Sequence, residues 1–267
     1  MADVTATDRL EPGLLARYQA TLGPWLAPVS AGTAPLGAHW CLFPPLAQTD
    51  SLGPDGHPPR LHPVPECEFP RRMWVGGALE LHRTFPLDAP IERRTSLRPL
   101  DRKQGSSGPF ILTGFDHSYS AGGVPIATER QDIVYRPAAG GPSASQAPGA
   151  PNPSADVRFE LDTPPALLAR YSALTFNAHL IHLSDGHAVE VEGHEGLLVH
   201  GPLQATILLN LAARLAGSAP RRFHYRALAP LVAGRGLVAT ASRTADGIDC
   251  MVHDRSGRQT FVAGAHP

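Results

Sequence analysis

The sequence predicts an α+β fold built twice: two antiparallel sheets, one per half of the chain, the second wrapped around a long buried helix. Three observations carry this. The stretch from Pro137 to Ala155 is dominated by small residues and holds Pro137, Pro142, Pro148, Pro151 and Pro153. It offers little apolar surface to bury and reads as a semi-extended linker. Each half ends in a run of strand-like segments punctuated by turn residues. Between 201 and 216, apolar residues recur at helical spacing. The expected organisation is an N-terminal unit over 1–136, a linker over 137–155 and a C-terminal unit over 156–267.

In the first half, Pro12–Leu22 reads as an amphipathic helix with proline at its start. A proline-rich region follows. Strands are expected over 77–85, 91–100, 110–120 and 125–135, with turns at Asp88, Ser106–Gly108 and Gly122-Gly123. In the second half, Thr163-Pro164 caps a short helix running towards Ala173. A polar, histidine-rich loop comes next. The helix 201–216 carries Leu203, Ile207, Leu208, Leu211 and Leu215, with Ala205, Ala212 and Ala213 keeping it slim, and Gly217 stops it. Small residues on the remaining faces predict burial on most sides. Strands over 223–229, 236–243, 248–253 and 259–263 close the chain. A central apolar helix wrapped by a curved antiparallel sheet is a hotdog, and two such units make a double hotdog.

Composition excludes several classes. The 267 residues carry a net charge of -1, which gives no electrostatic reason to bind nucleic acid. Lys103 is the only lysine, so arginine supplies nearly all positive charge. No run approaches the roughly 18 apolar residues of a membrane span. The acidic N-terminus (Asp3, Asp8, Glu11) shows no signal peptide, and Cys41, Cys67 and Cys250 are too scattered for a disulfide set. The expected location is cytoplasmic. Gly234–Ala239 matches GxGxxA in form but precedes a strand rather than a helix, so it is not a dinucleotide site. A serine-hydrolase elbow is absent.

Chemistry concentrates in YSALTFNAHLIH at 171–182 and in HGPLQA at 200–205. His179, His182, His187, His194 and His200 invite a metal reading, but their spacings fit no standard zinc set and no cysteine joins them. No metal and no cofactor are expected. The aromatic residue, the His five residues after Asn177, and a His-Gly pair opening the central helix resemble the MaoC-like hotdog enoyl-CoA hydratases. Within that family, RYSALTFN at 170–177, VEGHEGLLVHGPLQAT at 191–206 and RRFHYRALAPL at 221–231 look like the type 2 hydroxyacyl-thioester dehydratases and the mesaconyl-CoA and itaconyl-CoA hydratases. HWCLFPP at 39–45, PRRMWVGG at 70–77 and ERQDIVYR at 129–136 agree.

The resemblance implies reversible hydration of an enoyl-CoA, with mesaconyl-CoA or itaconyl-CoA to citramalyl-CoA favoured. Dehydration of 3-hydroxyacyl groups on an acyl carrier protein is the alternative, and a catalytically silent thioester-binding protein is a third reading. His182 is the implied base, since a histidine titrates near neutral pH. Asn177 stands where the hydratases carry Asp; an amide cannot take up a proton. His179, Asp185 or Glu192 are the candidates to assist, and Ser184 replaces a common Asp. His200 either caps the helix or touches substrate. Gly201 and Leu203 can hold the thioester oxygen through backbone N–H groups, because Pro202 has none. Tyr171 and Phe176 are expected as pocket walls. Arg72, Arg222 and Arg226 are candidate contacts to CoA phosphates or a distal carboxylate. An acyl-CoA is the expected partner, with no nucleic acid and no membrane, and a homodimer is possible.

Overall fold

The computed structural model describes residues 3–58, 69–105, 108–137 and 155–267. The linker between 138 and 154, Cys67 and most of the turn expected at 106–108 lie outside these residues. The first half contains β1 (Val4–Asp8), α1 (Pro12–Leu22), β2 (Arg71–Leu81), β3 (Ile91–Leu97), β4 (Asp101–Gly105), β5 (Gly108–Ala121) and β6 (Val124–Arg136). The second contains β7 (Val157–Leu161), α2 (Pro165–Thr175), α3 (Gly201–Ala216), β8 (Arg222–Ala227), β9 (Leu237–Arg243), β10 (Ile248–His253) and β11 (Gln259–His266).

Among the described residues the strands form one antiparallel sheet in the order β1-β3-β5-β6-β2-β8-β11-β10-β9-β7, with β4 on β5. The two hotdog halves therefore share a sheet, joined where β2 pairs with β8 from Gly76↔Arg226 to Glu80↔Arg222. The fold is the expected double hotdog. Three strands were not expected: β1, β4 and β7. β2 also begins six residues before the expected position, and His82 to Phe85 lie beyond its end.

α3 is the axis of the fold. Every residue from Leu203 to Ala213 is buried, and the helix packs on β7 through β11. Its apolar surface is the main driving force for the sheet to curl. Gly217 at φ +79 ends it in a left-handed cap, as read from the sequence. At α2 the capping expectation fails. Pro164 occupies the cap position. Thr163 Oγ1 instead accepts the Gly234 N–H at 3.2 Å, tying the start of α2 to the β8–β9 connection.

Candidate active site

The site forms where α2 ends, the polar loop turns and α3 begins. Phe176 stops α2 in the left-handed conformation, φ +49, an uncommon state for an aromatic residue. The chain then folds back on itself: the Asn177 N–H donates to Ser172 O at 2.9 Å. Asn177 Oδ1 accepts the His179 N–H at 3.0 Å and holds the turn. A 3-10 turn, Leu180–His182, presents His182.

His182 is 8% exposed. Its Nδ1 lies 2.7 Å from the Leu198 carbonyl. A carbonyl only accepts, so Nδ1 carries the proton of the neutral ring and Nε2 keeps its lone pair. Burial brings the ring's pKa down to about 4, against the Leu198 hydrogen bond and with help from the charges of His57 and His194. At pH 7 the ring is therefore neutral and ready to accept a proton.

His200 sits at the cap position of α3 but makes no capping hydrogen bond. Its ring stacks on His182 with centroids 3.6 Å apart, and its Nε2 lies 2.9 Å from Ser172 Oγ. Burial, then the neighbouring charges of His182 and His179, push its pKa well below the ordinary value. Two imidazoles this close cannot both be charged in a buried site. The structure thus places His200 behind His182 as a packing partner. Tyr171 backs this pair, its ring 5.1 Å from that of His200, fully buried and 3.5 Å from Thr206 Oγ1 through its hydroxyl.

Gly201 opens α3 with its N–H in the unsatisfied first turn. A Cβ there would come within 2.7 Å of Trp74 Cε3. The close approach that demands glycine at this position is thus made by an indole from β2. Leu203 is buried. Phe176, expected as a pocket wall, is 57% exposed.

Two functional candidates came from outside the sequence reading. Asp55 and His57 lie on the loop Gly53–Pro58 and meet the histidine turn. The Leu180 N–H donates to Asp55 O at 2.8 Å. Gly56 has φ +83, and a Cβ on it would collide with the Ala178 carbonyl oxygen, so only glycine fits. His57 Nδ1 is 3.6 Å from Asp55 Oδ2, and its ring centroid is 4.1 Å from that of His179. His179 in turn packs edge-on to His182 at 5.6 Å. Burial pushes the Asp55 carboxyl up, but hydrogen bonds and charge from His57, with the charge of His179, outweigh it and bring it to about 2. Burial first, then His57 and His182, holds His179 down at about 2. The Pro54-Asp55-Gly56 signature reads as a turn, but nothing local ties it to residues more than 120 positions away.

Arg72 on β2 joins this cluster: its charge acts on Asp55 and on His179. Arg222 and Arg226 do not join it. On β8, Phe223 and Tyr225 are buried while Arg222, His224 and Arg226 are exposed. Both arginines therefore point to the sheet face opposite α3. Arg222 lines a groove of about 830 Å3 on that face, with Asp116, Arg130 and His224. Of the proposed assistants, Asp185 is exposed. Glu192 accepts from Arg71 Nε at 2.7 Å, which ties the loop to β2. Ser184 Oγ accepts the His187 N–H.

The sequence pattern of the family described as hydroxyacyl-thioester dehydratase type 2 matches residues 37–233. The chain belongs to this family. The dehydratase pattern spans both segments of the histidine cluster. Mesaconyl-C(4)-CoA hydratase of Chloroflexus aurantiacus is 36% identical over 206 residues, which are 77% of this chain and 73% of that protein. The mitochondrial hydroxyacyl-thioester dehydratase type 2 of Schizosaccharomyces pombe is 24% identical over 282 residues, 91% of each chain. The crystal structure of HtdX of Mycobacterium tuberculosis covers 98% of both chains with a TM-score of 0.71 at 17% identity, and so shares the fold. Membership makes this dehydratase-family chain a hydro-lyase, which sets aside the reading of a catalytically silent thioester-binding protein.

Proposed function

We propose that this hydro-lyase adds water reversibly across the double bond of an enoyl-CoA thioester, with His182 as the base. The observation that carries this is the orientation of His182: Nδ1 is engaged by Leu198 O, and Nε2 is left neutral and unprotonated. In hydration, Nε2 takes a proton from water while the oxygen bonds to the β-carbon. Negative charge moves to the thioester oxygen. The first-turn N–H groups of Gly201 and Leu203 are suited to hold that oxygen, aided by the dipole of a 16-residue helix. His200 keeps the base in place by stacking.

The favoured substrates are branched C-5 dicarboxylyl-CoAs, mesaconyl-CoA or itaconyl-CoA, giving citramalyl-CoA. The 36% identical relative supports this. So does Arg72, a cation held at the histidine cluster that a distal carboxylate can meet. The second reading, dehydration of 3-hydroxyacyl groups on an acyl carrier protein, rests on the fission-yeast relative, whose match spans more of the chain.

Purified protein mixed separately with mesaconyl-CoA, itaconyl-CoA and crotonyl-CoA tests this through loss of the enoyl absorbance. The dicarboxylyl thioesters are expected to react fastest, and Arg72→Met to erase that preference. Equal or faster turnover of unsubstituted long-chain enoyl thioesters would favour the second reading. No turnover of any enoyl thioester would sink both.

A further inference from the structure

Protonation of the α-carbon has no donor so far. Asn177 has no titratable group, and its carbonyl oxygen is committed to the His179 N–H. His179 and His200 are held neutral by burial. Asp185 is exposed and Glu192 is paired with Arg71. Among the described residues, an acid–base pair is pinned to the catalytic turn by backbone contacts: Asp55 and His57, brought from the other half of the chain.

We propose, resting on the hydration reading above, that the Asp55–His57 pair is the second proton-transfer element of this site, with His57 supplying the α-carbon proton directly or through one water. The placement is built in. The loop is pinned to the catalytic turn by the Leu180 N–H and by the backbone contact that admits only Gly56. His57 Nδ1 faces the Asp55 carboxylate at 3.6 Å, so the ring has a counter-ion when it carries the proton. From the other elements, His179 of the catalytic turn packs on the ring, and the charge of Arg72 on β2 acts on His179 and interacts with Asp55. His182 lies beyond His179.

The step balances. His182 Nε2 accepts one proton from water, and the oxygen forms the C–O bond at the β-carbon. The π electrons pass towards the α-carbon and the thioester. An N–H bond of the His57 imidazolium breaks, its electron pair stays on the ring, and the proton forms the α C–H bond. The site is left with His182 protonated and His57 neutral. A proton passing from one to the other through water restores both. Dehydration runs the same steps backwards.

The same three side chains raise a metal reading, since one donor atom each from Asp55, His57 and His179 lie within 4.8 Å of one another. The positive charge of Arg72 acts on His179 and interacts with Asp55, which opposes a bound cation. The proton-transfer reading therefore fits better.

The test is the pH dependence of hydration by full-length wild type, His57→Gln and Asp55→Asn, using whichever enoyl-CoA the wild type turns over fastest. Wild type should show kcat/KM falling on the alkaline side, as a reaction that needs a protonated donor does. His57→Gln should lose about 100-fold or more in kcat, with KM little changed and the alkaline limb gone. Asp55→Asn should lower kcat less than His57→Gln does, because the donor remains and only the carboxylate facing it at 3.6 Å is lost. A His57→Gln rate within threefold of wild type, or a loss of rate with the limb unmoved, would overturn the proposal. So would a stoichiometric divalent metal retained by wild type and lost from His57→Gln. Inactivity of the wild type on every enoyl-CoA would instead overturn the hydration reading on which the proposal rests.

Discussion

The two halves of the sheet fill their concave faces by different means. In the second half, β7 to β11 close around α3, whose middle eleven residues are all buried. In the first half, β2, β3, β5 and β6 have no long helix of their own. Loops between Leu26 and Leu42 fill the space and lean on α3. Asn210, buried in α3, accepts the Ala27 N–H at 2.9 Å and donates to Leu36 O at 3.0 Å. One helix thus serves both halves. What the first half lacks in helix it replaces with a buried polar knot around Glu129. Its carboxylate accepts from Trp40 Nε1 at 2.7 Å, Tyr119 OH at 2.7 Å, Gln131 Nε2 at 3.0 Å and Tyr225 OH at 3.2 Å. Burial opposes ionisation there, but the charges of His39 and His117 and the hydrogen bonds from Trp40 and Tyr119 outweigh it and lower the pKa. The difference teaches that a half without a long central helix can still be specified, and that its loops are then available to reach the site of the other half.

The sharpest break in this comparison is expected from His182→Ala. It should reduce turnover by about 10²- to 10⁴-fold while leaving the far-UV circular dichroism unchanged. Near-normal rates would refute the choice of base. In the first half, Glu129→Ala strands several buried donors and should cost about 3–5 kcal/mol, read from the urea midpoint. A loss below about 1 kcal/mol would mean that the polar knot does not replace a helix.

Acid should then weaken both halves. His117, bonded to Thr95 Oγ1, and His182 have pKa values lowered from 6.5 to about 4, in each case first by burial. Their folded values lie below their unfolded ones. Stability is therefore complete above about pH 6.5 and falls towards pH 4, by up to about 3 kcal/mol for each ring. His117→Gln and His182→Gln should each flatten part of that slope in urea titrations; unchanged slopes would contradict it.

The smallest effect is expected at Phe176, whose φ is +49 and whose side chain is mostly exposed. Phe176→Gly should hold stability level or raise it by up to about 1 kcal/mol. A thermal melt checks this, and a raised KM would show that the ring meets substrate.

Much of the site was legible because it is contiguous. Asn177 and His182 lie in one turn, and His200 and Gly201 open one helix, so each pair could be read from its own short segment. The missed strands share a different cause. β4 reads Asp-Arg-Lys-Gln-Gly and is almost wholly exposed, so no apolar alternation marks it. Among the described residues β1 pairs only with β3, at the edge of the sheet, and its burial pattern is mostly exposed. The exclusion of Arg222 and Arg226 from the site was readable in principle. Alternation with Phe223 and Tyr225 already places them on the opposite face. HWCLFPP and ERQDIVYR carried the family resemblance without a physical reason; the Glu129 knot, which joins Trp40, Gln131 and Glu129, supplies one.

By itself, the sequence determined what acts over a few residues: the buried periodicity of α3, its glycine stop, the catalytic turn and most of the strand meanders. Backbone sterics and hydrophobic spacing are local, so they can be read locally. Only the tertiary structure decided that one helix supports two halves and that His200 stacks on His182. It alone brought Asp55 and His57 across more than 120 residues to the catalytic turn. Those contacts depend on sheet register and loop closure, which the chain settles only when the whole apolar core is buried.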